Sequence, residues 1–79
     1  MSKGYWRVQK WNPVKETNII IGAINKPNDC DGDDLYNEMI SKGWIASIDN
    51  YECDGDNTSV LMLGTVEGAG DFTLDFIYQ

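Results

Sequence analysis

The sequence predicts an α+β fold: a five-stranded, mostly antiparallel sheet with one helix packed on one face, in the order ββαβββ. Three observations predict it. Runs rich in aromatic and β-branched residues recur at 5–11, 17–25, 44–51, 59–66 and 72–78. One stretch, 33–42, carries apolar residues at helical rather than alternating spacing. Turn residues separate these segments and no linker interrupts them, so residues 1–79 are expected to form a single small globular domain.

Tyr5–Trp11 reads as the first strand and Thr17–Asn25 as the second, joined across Asn12-Pro13, where proline fixes φ and removes a ladder donor. The centre of the second strand, Ile19-Ile20-Ile21, is apolar on both faces, which predicts a position inside the sheet. Lys26–Asp31 is a loop broken by Pro27 and Asn28, and a helix follows over Asp33–Lys42. Asp31 or Asp33 can cap it, and Asp33 and Asp34 suit the positive end of its dipole. Leu35, Tyr36, Met39 and Ile40 share one face, and Gly43 supplies a left-handed stop.

Trp44–Tyr51 alternates Trp44, Ala46 and Ile48 against Ser47 and Asp49, predicting a third strand. Glu52–Thr58 reads as a turn around Asp54-Gly55-Asp56-Asn57. Ser59–Val66 is the fourth strand, apolar on both faces and so expected at the centre of the sheet. Glu67–Asp71 turns on Gly68 and Gly70. Phe72–Tyr78 is the fifth strand, with Phe72, Leu74, Phe76 and Tyr78 inward and Thr73 and Asp75 outward.

Charge is more informative about function than hydropathy. Six Lys plus Arg stand against thirteen Asp plus Glu, a net charge of −7. Residues 1–26 hold Lys3, Arg7, Lys10, Lys15 and Lys26 against Glu16 alone, a local +4, whereas residues 27–79 hold Lys42 against twelve acids, a local −11. Such a balance opposes nucleic acid and anionic lipid as direct partners. The N-terminal hairpin interleaves Tyr5, Trp6 and Trp11 with Arg7, Lys10 and Lys15, a pattern shared by small nucleic-acid platforms, but packing aromatics and edge-guarding lysines account for it better. No apolar run approaches the length of a membrane helix, and MSKGYWRV lacks a signal-peptide core, so a cytoplasmic location is expected.

The tetrapeptide Cys-Asp-Gly-Asp occurs twice, at 30–33 and 53–56. Asp-Gly is common turn chemistry and Asp before a helix common capping chemistry, so each copy has an ordinary structural explanation. Taken together, Asp29, Asp31, Asp33, Asp34 and Glu38 form one acidic cluster and Asp49, Glu52, Asp54 and Asp56 a second. If the two loops are neighbours, they make one surface matched to a basic groove. Calcium is an alternative, because Asp29, Asp31 and Asp33 alternate as in calcium loops. An EF-hand starting there would need glycine at position 34 and glutamate at position 40, where the chain has Asp34 and Ile40. No metal or other cofactor is expected. Cys30 and Cys53 are expected as free thiols, with a bridge between them the alternative.

The absence of histidine excludes every Ser–His or Cys–His arrangement, and no phosphate-binding glycine loop joins a strand to a helix, so catalysis is not expected. In size, acidity and lack of catalytic groups the chain resembles immunity proteins, antitoxins and phage-encoded inhibitors, including DNA mimics. That resemblance is compositional and covers no motif. It implies a small inhibitor or regulator that docks its carboxylate-rich loops onto a basic, nucleic-acid-binding site of a larger protein. The second expectation is an adaptor or subunit that binds through an aromatic sheet face, anchored by Tyr5, Trp6, Trp11 or Trp44. Self-association, with the basic hairpin of one copy against the acidic loops of another, is a third.

Overall fold

The computed structural model describes residues 3–79. It contains strands β1 (Gly4–Asn12), β2 (Thr17–Ile24), β3 (Tyr51–Gly55), β4 (Ser59–Gly64) and β5 (Phe72–Tyr78), one helix α1 (Gly32–Ser41), and a short 3₁₀ turn at Ile48–Asn50. The strands form one sheet in the order β2-β1-β5-β4-β3. Every neighbouring pair is antiparallel. β5 is the central strand: it pairs with β1 from Lys10↔Phe72 to Gly4↔Tyr78 and joins the two halves of the sheet. The chain leaves the sheet at one edge, β2, and returns at the other, β3, so the segment containing α1 crosses a face.

That crossing defines the core. Trp6 and Val8 of β1, Ile24 of β2, Val60 and Met62 of β4, and Phe72, Leu74 and Phe76 of β5 are buried on the covered face. Leu35, Tyr36 and Met39 of α1 and Ile45 of the following loop pack onto them. Trp6 meets Phe76 edge-on at a centroid distance of 5.5 Å. Its indole Nε1 donates to the Pro27 carbonyl at 3.1 Å, which satisfies the one polar atom the ring carries inward.

The helix is specified at both ends. At its start the Asp34 N–H donates to the Asp31 carbonyl at 3.0 Å, and the Asp34 carboxylate accepts from the Asp31 N–H at 3.3 Å. At its end the Gly43 N–H donates to the Ile40 carbonyl and the Trp44 N–H to the Met39 carbonyl, each at 3.0 Å. These are the paired bonds of a Schellman stop, made possible by the Gly43 φ of +77°. The predicted helix bounds differ from the observed ones by one residue at each end.

Three expectations about strands are corrected. The third strand does not occupy Trp44–Tyr51: it runs over Tyr51–Gly55, inside the stretch read as a turn. Residues 44–47 form no strand, because Trp44 and Ile45 are spent on packing as the chain finishes its crossing. β2 is not inside the sheet but at its edge, and Ile19 and Ile20 are exposed. β4 is interior but not central, and Leu61 and Leu63 are exposed, since no element covers the second face of the sheet. Tyr78 also differs: it is exposed, although its ring contacts Phe76 edge-on at 5.0 Å. No helix among the described residues is long and apolar enough to cross a membrane.

Two glycine substitutions test this packing. A Cβ at Gly43 meets nothing within 4 Å, so Gly43→Ala registers only the left-handed backbone. It is expected to destabilise by about 1 kcal/mol, a fall of roughly 4–8 °C in Tm for a domain of this size, with Gly43→Asn milder. A Cβ at Gly22 would stand 2.5 Å from the Trp44 ring. Gly22→Ala is therefore expected to displace Trp44, cost about 1–3 kcal/mol and change the near-UV circular dichroism, which Gly43→Ala leaves unaltered.

Candidate functional site

The two Cys-Asp-Gly-Asp segments meet. The first caps the start of α1 and the second closes the β3–β4 hairpin, and together they line a cleft of about 420 Å³. Its floor is Trp6, Leu35 and Val60, and its rim carries Asp29, Asp31, Asp54 and Asp56 with Asn57. The segments face each other closely: a Cβ on Gly32 would stand 4.0 Å from Cys53 Sγ. Local rules bring this about. Asp31 must sit at the helix N-terminus, and the hairpin must turn at Gly55–Thr58, where β3 ends beside the same end of the helix.

No Lys or Arg lines the cleft. Lys10 lies over the Phe72 ring at 5.6 Å and Lys42 over the Trp44 ring at 5.7 Å, while Lys26 bears on Cys30 at the margin of the cleft without pairing with a carboxylate. Among the described residues the single ion pair is Arg7–Asp75, 3.3 Å apart on the uncovered face of the sheet. None of the rim carboxylates has an ion-pair partner among the described residues, an arrangement that strains the free protein by like-charge repulsion and favours a cationic surface.

The predicted site residues divide by duty. Asp29 and Asp54 line the rim and accept no hydrogen bond from another side chain or N–H among the described residues. Asp31 lines the rim and also caps the helix. Asp56 is held by its own turn: one carboxylate oxygen accepts from Thr58 N and Thr58 Oγ1 at 2.8 Å and from Ser59 N at 3.1 Å. Those bonds, the Thr58 N–H first, hold its pKa below the ordinary value. Asp34 is occupied with the Asp31 N–H. Asp33 and Glu52 bear on the Tyr36 hydroxyl and do not line the cleft. Glu38 lies one turn further along α1 and Asp49 in the 3₁₀ turn at the far end of β3, and neither lines the cleft. The structure thus gathers four of the nine residues, Asp29, Asp31, Asp54 and Asp56, at one cleft.

The cysteines are free, Cys30 half-buried and Cys53 exposed. Burial pushes both thiols up, with Asp34 adding to the effect at Cys30 and Asp54 at Cys53. Burial, the neighbouring Cys53, Asp33 and Glu52 push Tyr36 up to about 12. Near neutrality these groups stay protonated, so the cleft offers carboxylates and no activated thiolate. Among the described residues no three Asp, Glu or Cys side chains stand close enough to share a metal ion, and the alternation Asp29, Asp31, Asp33 does not converge on a point.

The aromatic anchors are also redistributed. Trp6 is buried in the core and Trp44 lies half-buried over Gly22, so neither is free to anchor a partner. Tyr5 and Trp11 stand at register positions on the uncovered face. The sequence reading missed that the face also presents Ile20, Leu61, Leu63 and Ile77. The signal lies in β2 and β4, whose apolar residues fall on both faces of a sheet that is covered on one face only.

Asp56 gives a test with a defined sign. Its folded-state pKa lies below the ordinary 3.8, so the stability it contributes is fully present above that value and is lost as pH falls through the folded pKa. Asp56→Ala is expected to lower Tm at pH 7 and to show a shallower further loss between pH 5 and pH 2 than the parent, both read from thermal melts. Equal acid slopes in the two proteins would remove the assigned role. No protein-family model, curated protein or solved structure matches this chain.

Proposed function

We propose that this protein is a small acidic binding protein that docks the carboxylate rim of its cleft onto a basic surface of a larger protein. In this reading it acts as an inhibitor or regulator, occupying a site that the larger protein uses for nucleic acid. One observation carries the reading: two copies of Cys-Asp-Gly-Asp, 23 positions apart, bring Asp31, Asp54 and Asp56 to one cleft beside Asp29, and no Lys or Arg lines it. The distribution of charge supports it further. The local −11 of residues 27–79 would be relieved by Lys and Arg across a contact and would steer encounter with such a surface. Asp29 and Asp54 carry most of the weight, because helix and turn geometry do not require their charge.

The test removes charge without removing caps. Asp29→Asn, Asp31→Asn and Asp54→Asn together keep an N-cap side chain of equal quality while deleting three negative charges. Host proteins retained by the parent at about 50 mM salt are expected to elute as ionic strength approaches the molar range, and the triple variant is expected to retain them at least tenfold more weakly. A bound nucleic-acid duplex should be displaced from the retained protein by the parent and not by the variant. Retention that ignores both salt and the triple substitution would sink the reading.

A further inference from the structure

The uncovered face of the sheet is half of a core. Register places Tyr5, Arg7, Gln9 and Trp11 of β1, Ile20 and Ala23 of β2, Leu61 and Leu63 of β4, and Thr73, Asp75 and Ile77 of β5 on it. Ile20 is 61% exposed, and Trp11, Leu61 and Leu63 about 40% each. Scattered exposed aliphatics are ordinary on a protein surface, but here they lie on adjacent strands of one flat face with no element above them.

The charges on this face are arranged so that it complements itself. Arg7 lies on the β1 side, and Glu52 and Asp54 lie on the β3 side, opposite Leu63 and Leu61 in the ladder. Beyond the face the same polarity continues, with the local +4 in the β1–β2 half and most of the acids in the other half. Two such faces can be brought together about a twofold axis in either of two directions. An axis across the strands lays β2 on β2 and like charge on like. An axis along β5 lays β1 over β4 and β2 over β3, which puts the positive half of each copy on the negative half of the other.

We propose that two copies of this chain pack their open sheet faces together about a twofold axis parallel to β5, closing a β-sandwich with α1 of each copy outermost. Trp11 then lies over Leu63 of the second copy and Gln9 over Leu61, because these residues share levels of the ladder. The two Arg7–Asp75 pairs meet at the axis, where each Arg7 reaches the carboxylate of the opposite Asp75. The turn that carries Lys15 lies over the start of β3, which carries Glu52. Aligned packing of twisted sheets at about 10 Å separation is the ordinary geometry for such a contact. The area is sufficient: five strands about 4.8 Å apart and roughly 20 Å long give a footprint of about 500 Å² per copy, about 1,000 Å² in total, at the threshold of a specific interface. Most of the acidic cleft stays free, since its floor is on the covered side of the sheet, but Asp54, level with Leu61 on the edge strand β3, stands at the margin of the contact.

Sedimentation of the full chain from about 10 to 500 μM tests this. A concentration-dependent monomer–dimer equilibrium is expected, and it should persist near 1 M salt, where binding through the cleft rim is lost. Leu61→Glu and Leu63→Glu should each raise the dimer dissociation constant at least tenfold. Both sites are exposed in the monomer, so circular dichroism should stay unaltered. Arg7→Glu and Asp75→Arg should each be monomeric alone and form a mixed dimer when combined, a result specific to the axis along β5. A chain that remains at 8.9 kDa throughout, a dimer indifferent to Leu61→Glu and Leu63→Glu, or charge variants that fail to pair would overturn the proposal. The cleft variant Asp29→Asn should dimerise normally, which separates failure here from failure of the binding reading.

Discussion

The structure depends on one connection. Because β1 and β5 pair at the middle of the sheet, β2 and β3 are left as its two edges, and the chain between them must cross one face. The outer strands of a five-stranded sheet are about 19 Å apart, whereas ten helical residues span only about 15 Å. The helix therefore cannot make the crossing by itself. The loop before it contributes Cys30 to the core margin, and the loop after it contributes Trp44 and Ile45. The crossing is also why the core is one-sided. A single helix and its two loops cover one face, and among the described residues no element covers the other.

What was legible in the sequence was what local chemistry decides. The helix was readable because Asp31, Asp34 and Gly43 act within a turn of where they stand, and Leu35, Tyr36 and Met39 fall on one stripe. β5 was readable because a central strand under a helix must alternate, and Phe72, Leu74 and Phe76 do. The third strand was misplaced because alternation in Trp44–Tyr51 arises from a crossing loop that drops Ile45 into the core, while Glu52, Cys53 and Asp54 look like a turn. A short acidic strand is what an edge calls for, since charge there discourages pairing with other chains. Composition alone cannot separate an acidic edge from an acidic turn. The rim of the cleft was half legible: the repeat was visible, but its meeting in space depends on register between β3, β4 and the helix start.

The acids also sort by how replaceable their charge is. Asp56 and Asp34 accept bonds that fix a turn and a cap, and their position follows from backbone geometry. Asp75 is paired with Arg7 and accepts from Ser59 Oγ at 3.1 Å. Asp29 and Asp54 have no such partner among the described residues, although both line the cleft. Asp54 stands on the edge strand β3, where charge discourages pairing with other chains, whereas Asp29 lies in the loop before α1 with no comparable duty. In the proposed reading a cationic surface relieves the repulsion that these acids add to the free fold.

The cleft and the open face are separate surfaces that meet only at Asp54 on the edge strand β3, and that separation follows from the same one-sided core. The cleft forms where the covering layer ends, so its floor belongs to the covered face. The open face exists because the covering layer is single. One surface is ruled by charge and weakens as salt screens it, whereas the other is ruled by apolar area and does not. A dimer closed through the open face would carry two acidic clefts on one particle. Two linked sites raise the effective concentration of the second once the first is engaged, so modest attraction at each rim becomes strong attachment to a target with repeated or symmetric basic sites. A small acidic chain whose acidic cleft is shallow would gain by that route what its area cannot supply.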